Sequence, residues 1–156
     1  MTWEAFFKWC DALPVAAAIR DSSVIFPVIE SIHLLSLTVL LGTIVVLSIL
    51  LFGSGLTGQP VALVARRLAP LTFWGLLMMV TTGALLFCSE AMKCYENPPF
   101  WLKMKLLIAA IVFHYTFVRR TAQADTPGKL RCLAAATGSL LLWFGVGAAG
   151  RAIGFY

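Results

Sequence analysis

Charge is the first thing this sequence lacks. Only 12% of its 156 residues are charged, while 60% are hydrophobic; soluble domains carry roughly 25% charged residues. A water-soluble fold of this length has no interior large enough for so much apolar side chain, whereas a bilayer is a solvent for it. Histidine is almost missing, with two in the chain, and the four cysteines form no C-x-x-C pair, which excludes the usual zinc sites. No P-loop, no dinucleotide fingerprint opening a helix and no nucleophile elbow occurs, so the signatures of soluble enzymes are absent. The net charge of +5 does not point to nucleic acid. The basic residues flank apolar runs as membrane anchors do, and no basic stripe with interleaved aromatics lies outside them.

What the chain has is long apolar runs. Four helices of about 20 residues, with their connections, use the whole length, so residues 1–156 read as one integral membrane domain. The expected fold is all-α: a four-transmembrane-helix bundle with an N-terminal amphipathic helix lying at the interface. The spans fall near 24–52, 70–88, 101–118 and 133–155. Residues 2–19 open with Glu4 rather than a basic patch, which is unlike a cleavable signal. They place Trp3, Phe6, Phe7, Cys10 and Leu13 on one side and Glu4, Lys8 and Asp11 on another, the pattern of an interfacial helix. Asp21, Ser22 and Ser23 offer caps for the first span, and the stretch from Gly53 to Gly58 with Pro60 ends it. A short amphipathic piece carrying Arg66 and Arg67 precedes Pro70, expected in the first turn of the second span. Arg119 and Arg120 stop the third. Gly138, Gly145, Gly147 and Gly150 give the fourth a small face on which a helix or a flat cofactor can approach.

The basic residues divide six and six between the two sides. Those in the first and third loops are denser and sit at span ends, which favours a multi-pass protein of the bacterial inner membrane with both termini periplasmic. Cys10, Cys88 and Cys94 then share the oxidising side, where Cys88 and Cys94 are close enough for a disulfide. Small apolar packing is the alternative for any of them.

His33 and His114 both fall inside spans, where ionisable side chains are costly and usually functional. Imidazoles on separate helices of a bundle suit haem b, gripped between facing helices. Residues Trp101 to Leu107, with His114 and Tyr115, resemble the third helix of membrane-bound haem-dependent protoporphyrinogen oxidases. Ile32, His33, Leu34, Leu35 and Gly42 are similar to the first helix of those enzymes and of copper-resistance membrane proteins. That resemblance implies His33 as a haem ligand, Lys105 as an essential base and His114 in the same centre. The arginine expected in the second half of the first helix is replaced by the stretch Leu47, Ser48, Ile49. The run from Phe26 to His33, with Tyr95, Glu96 and Asn97, resembles an uncharacterised family of small four-helix bacterial membrane proteins over nearly the whole chain.

Depth argues against one haem held by both histidines. At about 1.5 Å per residue, His33 lies about 12 Å and His114 about 20 Å below the same surface. Met78 or Met79 matches His33 better, and methionine packing is the bland alternative. Glu30, three residues before His33, is expected to pair with Lys103, Lys105 or Arg151, or to handle protons. Three readings follow: a haem-binding electron-transfer or haem-handling protein; a non-catalytic subunit or scaffold of a larger membrane complex or homo-oligomer; and a small carrier or channel lined by Glu30, His33 and Lys105.

Overall fold

The architecture comes from a computed structural model, which describes residues 2–53, 58–124 and 126–155. The described residues are helical, without strands, and four helices are long and apolar enough to cross a membrane. In chain order the elements are α1 (Trp3–Asp11), α2 (Pro14–Arg20), α3 (Ile25–Leu51), α4 (Val61–Ser89), α5 (Ala91–Tyr95) and α6 (Pro98–Phe113). A π-helical turn (His114–Val118) leads into α7 (Arg119–Ala122), and α8 (Lys129–Ala152) ends in a 3₁₀ turn (Ile153–Phe155). Part of the turn expected between Gly53 and Gly58 lies outside the described residues. The flanking Gly53 and Gly58 both have positive φ, at 84° and 59°, backbone that glycine adopts without a Cβ clash.

Two helix boundaries differ from expectation. The expected helix over 2–19 is broken into α1 and α2 because Pro14 cannot continue the first and instead starts the second,. In α4 the relation is reversed. Helix begins directly after Pro60 and runs through Pro70, so the short amphipathic piece and the second span are one helix.

Helices α3 and α4 pack antiparallel along their length. The register is marked by His33 beside Thr82, Leu40 beside Gly75, and a 3.0 Å hydrogen bond between the Thr43 and Thr72 hydroxyls. Helix α8 packs on both α6 and α3. Its glycines are occupied by side chains of α6: a Cβ at Gly138 would stand 2.8 Å from the Phe113 ring, one at Gly145 3.4 Å from Leu106, and one at Gly150 3.5 Å from Lys103. The small-residue face therefore serves α6, and Gly147 has open space around it. The bundle centre is filled by Leu40, Ile44, Met79, Ala110, Trp143 and Val146.

Short connections predict that consecutive long helices are neighbours. The pair α4 and α6 departs from this, sharing no seam comparable with the other three. At one end they meet through Phe87 of α4 stacked on Phe100 of α6, 5.5 Å between ring centroids, and a side chain of α1 is wedged against both. Phe7 of α1 is 3% exposed and meets Phe87 of α4 at 5.1 Å, Tyr95 at 5.2 Å, Trp101 at 5.6 Å and Phe100 of α6 at 6.2 Å between ring centroids. Arg20 fastens α2 to the same end by reaching Asp11 and the Ser89 carbonyl. Asn97 caps α6 and also donates to the Ile153 carbonyl. Removing the wedge in Phe7→Ala leaves a cavity among four rings and should cost about 3 kcal/mol of unfolding free energy in detergent. An unchanged denaturation midpoint would show that α1 is not part of the packed fold.

Candidate functional site

His33 and His114 are placed at different levels and do different things. The His33 Nδ1 lies 3.0 Å from the Thr82 hydroxyl, which itself donates to the Met78 carbonyl at 2.7 Å. With that hydroxyl proton committed, the imidazole N–H donates to Thr82. The ring fits because residue 83 is glycine: a Cβ there would sit 3.1 Å from His33 Cε1. Of the two methionines at this level, Met78 is 45% exposed and points away from the bundle, whereas Met79 is 4% exposed within the central packing. A porphyrin between His33 and either one does not fit, because Gly83 backs directly on the imidazole and the bundle centre is closed. The His33 imidazole is engaged by Thr82, and this hydrogen bond holds α3 to α4.

Other expected partners are also separated. Glu30 is exposed and has no ion pair or hydrogen bond with Lys103, Lys105 or Arg151 among the described residues. It lies five residues into α3, so it reaches the end of the bundle without a partner. Lys103 turns inward against Gly150, Lys105 is exposed on the other side of α6, and Arg151 stacks on Phe155 at 4.8 Å. All four cysteines are free thiols, so the Cys88–Cys94 bridge is not formed. They belong to different helices, α4 and α5, and the thiol beside Cys88 is Cys10. Burial first, then Glu90, pushes the Cys94 thiol up to about 11.

His114 opens the π-helical turn, a local widening that removes a residue from the regular i→i−4 ladder and recurs at functional positions,. The residue is 7% exposed, and its Nδ1 is enclosed without a hydrogen-bond partner among the described residues. It lines a lateral cleft of about 310 Å³ between α4 and the π turn with α7; the walls include Leu47, Ala69, Thr72, Trp74, Arg119 and Gln123. This is the α4–α6 gap at the end opposite the Phe7 wedge. Arg119 is exposed on the cleft rim without an ion pair among the described residues, and Trp74 beside it is 59% exposed. Two further buried polar atoms, Ser139 Oγ and Trp143 Nε1, lack partners on α8. A larger cleft near Pro60 and Lys129 borders residues outside the described set. Among the described residues no group of three or more metal-ligating side chains of the His, Cys, Asp and Glu type exists.

With the geometry in place, the family assignment follows from a match over residues 6–156 to a family of unknown function, DUF6644. The chain belongs to that family. No curated protein and no solved structure matches it. The uncharacterised small membrane-protein resemblance thus has a family behind it, and the oxidase and copper-resistance resemblances have no relative to support them.

The sequence marks His114 as an ionisable residue in an apolar run but carries no signal for the π turn or for the missing α4–α6 seam. Two measurements test the local chemistry. Thr82→Val strands the half-buried imidazole and should lower stability by about 1 kcal/mol,; an unaffected melting temperature would remove the His33–Thr82 bond from the account. Cys94 should alkylate slowly at neutral pH, with a rate that climbs as the solution approaches pH 11, since only the thiolate reacts,. Peptide mapping that shows the rate levelling off near pH 9 contradicts the buried placement.

Proposed function

We propose that this protein is a non-catalytic integral membrane protein that binds a lipid-soluble molecule in the cleft at His114. The observation that carries the reading is the His114 imidazole, 7% exposed, with its Nδ1 unpartnered beside a lateral opening. The imidazole makes no hydrogen bond among the described residues, and a ligand in the cleft pairs it at the ring edge that the opening leaves accessible, while Nδ1 itself is enclosed,. The cleft volume of about 310 Å³ lies at the lower end of small-molecule sites, about 300–1,000 Å³. Thr72 and Tyr115 line the cleft with His114, the Thr72 hydroxyl being committed to Thr43 and the Leu68 carbonyl, and no carboxylate or thiol lines it among the described residues.

The four long apolar helices are placed across the bacterial inner membrane with both termini periplasmic. The exposed Trp3, Phe6 and Trp9 of α1 rest in the headgroup layer,. In that setting the α4–α6 gap faces lipid, and a ligand enters sideways from the bilayer. Assembly as a homo-oligomer or within a larger membrane complex would use the same exposed helix faces.

Haem b remains as a second reading at His114 alone, where the imidazole supplies one axial nitrogen and Arg119 one cation for a propionate. Haem there would supply electron transfer, with much of the macrocycle left in lipid given the size of the cleft.

Ala69→Phe fills the cleft mouth without altering His114. Organic extracts of the purified wild type should contain a co-purifying molecule near one per chain that the Ala69→Phe variant lacks. Equal extracts from both proteins would refute the binding reading. A Soret band that disappears in His114→Ala would replace it with the haem reading.

A further inference from the structure

The ligand class follows from where the charge lies, and the argument rests on the His114 cleft being a binding site. The end of the bundle that carries the termini, α5 and the first turns of α3 and α6 holds six basic residues: Lys8, Arg20, Lys93, Lys103, Lys105 and Arg151. Six acidic ones accompany them: Glu4, Asp11, Asp21, Glu30, Glu90 and Glu96. These cancel, and Glu4–Lys8, Asp11–Arg20 and Glu90–Lys93 do so as direct ion pairs. The opposite end holds the other six basic residues, Arg66, Arg67, Arg119, Arg120, Lys129 and Arg131, with no acid beside them among the described residues, so the net positive charge resides there. Arg66, Arg67, Arg119 and Arg120 are all exposed and have no ion pair among the described residues. The cleft opens at this end.

We propose that the cleft holds an anionic phospholipid, with its phosphate on Arg119, an ester carbonyl accepting from the His114 imidazole, and an acyl chain lying in the α4–α6 gap. Three independent features converge on an amphiphile of that charge. His114 lies five residues before Arg119, about 7 Å deeper along the helix, which matches a headgroup phosphate at the rim with the uncharged glycerol esters below it. The imidazole lines the cleft without a hydrogen bond among the described residues, and with its N–H at the accessible ring edge it donates to an ester carbonyl,. Beyond His114, Leu77 and Met78 of α4 and Ile108 and Val112 of α6 stay exposed, an apolar surface along which an acyl chain can lie. A neutral quinone would satisfy His114 but leave Arg119 unused. A free phosphate would satisfy Arg119 but leave the apolar gap empty. Arginine suits the phosphate because its planar fork donates two parallel hydrogen bonds.

The test uses the full chain reconstituted in vesicles of equal parts phosphatidylcholine and phosphatidylglycerol, extracted gently and weighed by native mass spectrometry. Wild type should retain one phosphatidylglycerol in preference to phosphatidylcholine, a comparison that needs no variant. Arg119→Gln should lower that retention well over ten-fold, whereas Lys129→Gln, at the same end of the bundle, should lower it no more than about five-fold, the surface effect of one basic residue. His114→Phe, which keeps the ring volume, should also weaken retention. Equal loss in Arg119→Gln and Lys129→Gln would reduce the effect to bulk surface charge and overturn the site. Displacement of the lipid by inorganic phosphate alone would overturn the amphiphile. Retention of phosphatidylcholine as readily, or of a ubiquinone added to the vesicles in its place, would overturn the anionic class while the cleft still binds. A wild type that retains nothing while Ala69→Phe gives the same extract would remove the binding reading itself.

Discussion

The constraint on which this structure rests is that a polar group enclosed among four helices apolar enough to cross a membrane must find its hydrogen-bond partner within the protein,. The hydroxyls meet it locally. Ser31, Ser36, Thr38, Thr81, Thr116 and Thr121 each donate to the carbonyl four residues back. Between helices it is met by the Thr43–Thr72 bond and by His33 on Thr82, which pin α3 to α4 in one register. Against that background the unpartnered atoms stand out. The His114 ring lines a cleft, although its Nδ1 is as enclosed as Ser139 Oγ and Trp143 Nε1 of α8. The same rule thus separates a structural histidine from one that awaits a ligand.

The missing α4–α6 seam makes this separation consequential. Three seams, α3–α4, α3–α8 and α6–α8, suffice to hold four helices, and the fourth side is closed at one end by the aromatic wedge of α1. At the other end nothing of that size intervenes, and the π turn brings His114 to the opening. Fold and site are linked here: a fully closed ring of helices would have buried His114 against α4. The charge distribution adds direction, since the open end is also the end with all of the net positive charge.

Much of the architecture was legible in the sequence because apolar runs of span length are an unambiguous signal. Three of the four long helices lie within four residues of where hydropathy places them, whereas α4 begins at Val61 and not near 70. Pro14 and Pro70 show the limits of local rules, as one proline starts a helix and the other sits inside one. The site was less legible. Periodicity identified Phe7 as part of an aromatic face but not that it wedges between α4 and α6. The glycines of α8 advertised space without saying that Phe113, Leu106 and Lys103 take it. Depth counting correctly separated the two histidines, and Glu30 and Lys103, though near in level, face different ways. Side-chain direction around a helix decides such pairings, and a single sequence fixes it only loosely.

The central claim is that His114 touches a ligand and His33 does not. Nitrogen-15 spectra of histidine-labelled protein, recorded in native membranes and again after delipidation in detergent, address it directly. The account predicts that the His114 resonances move on delipidation while those of His33, held by Thr82, stay in place. Movement of His33 with His114 unchanged would contradict it.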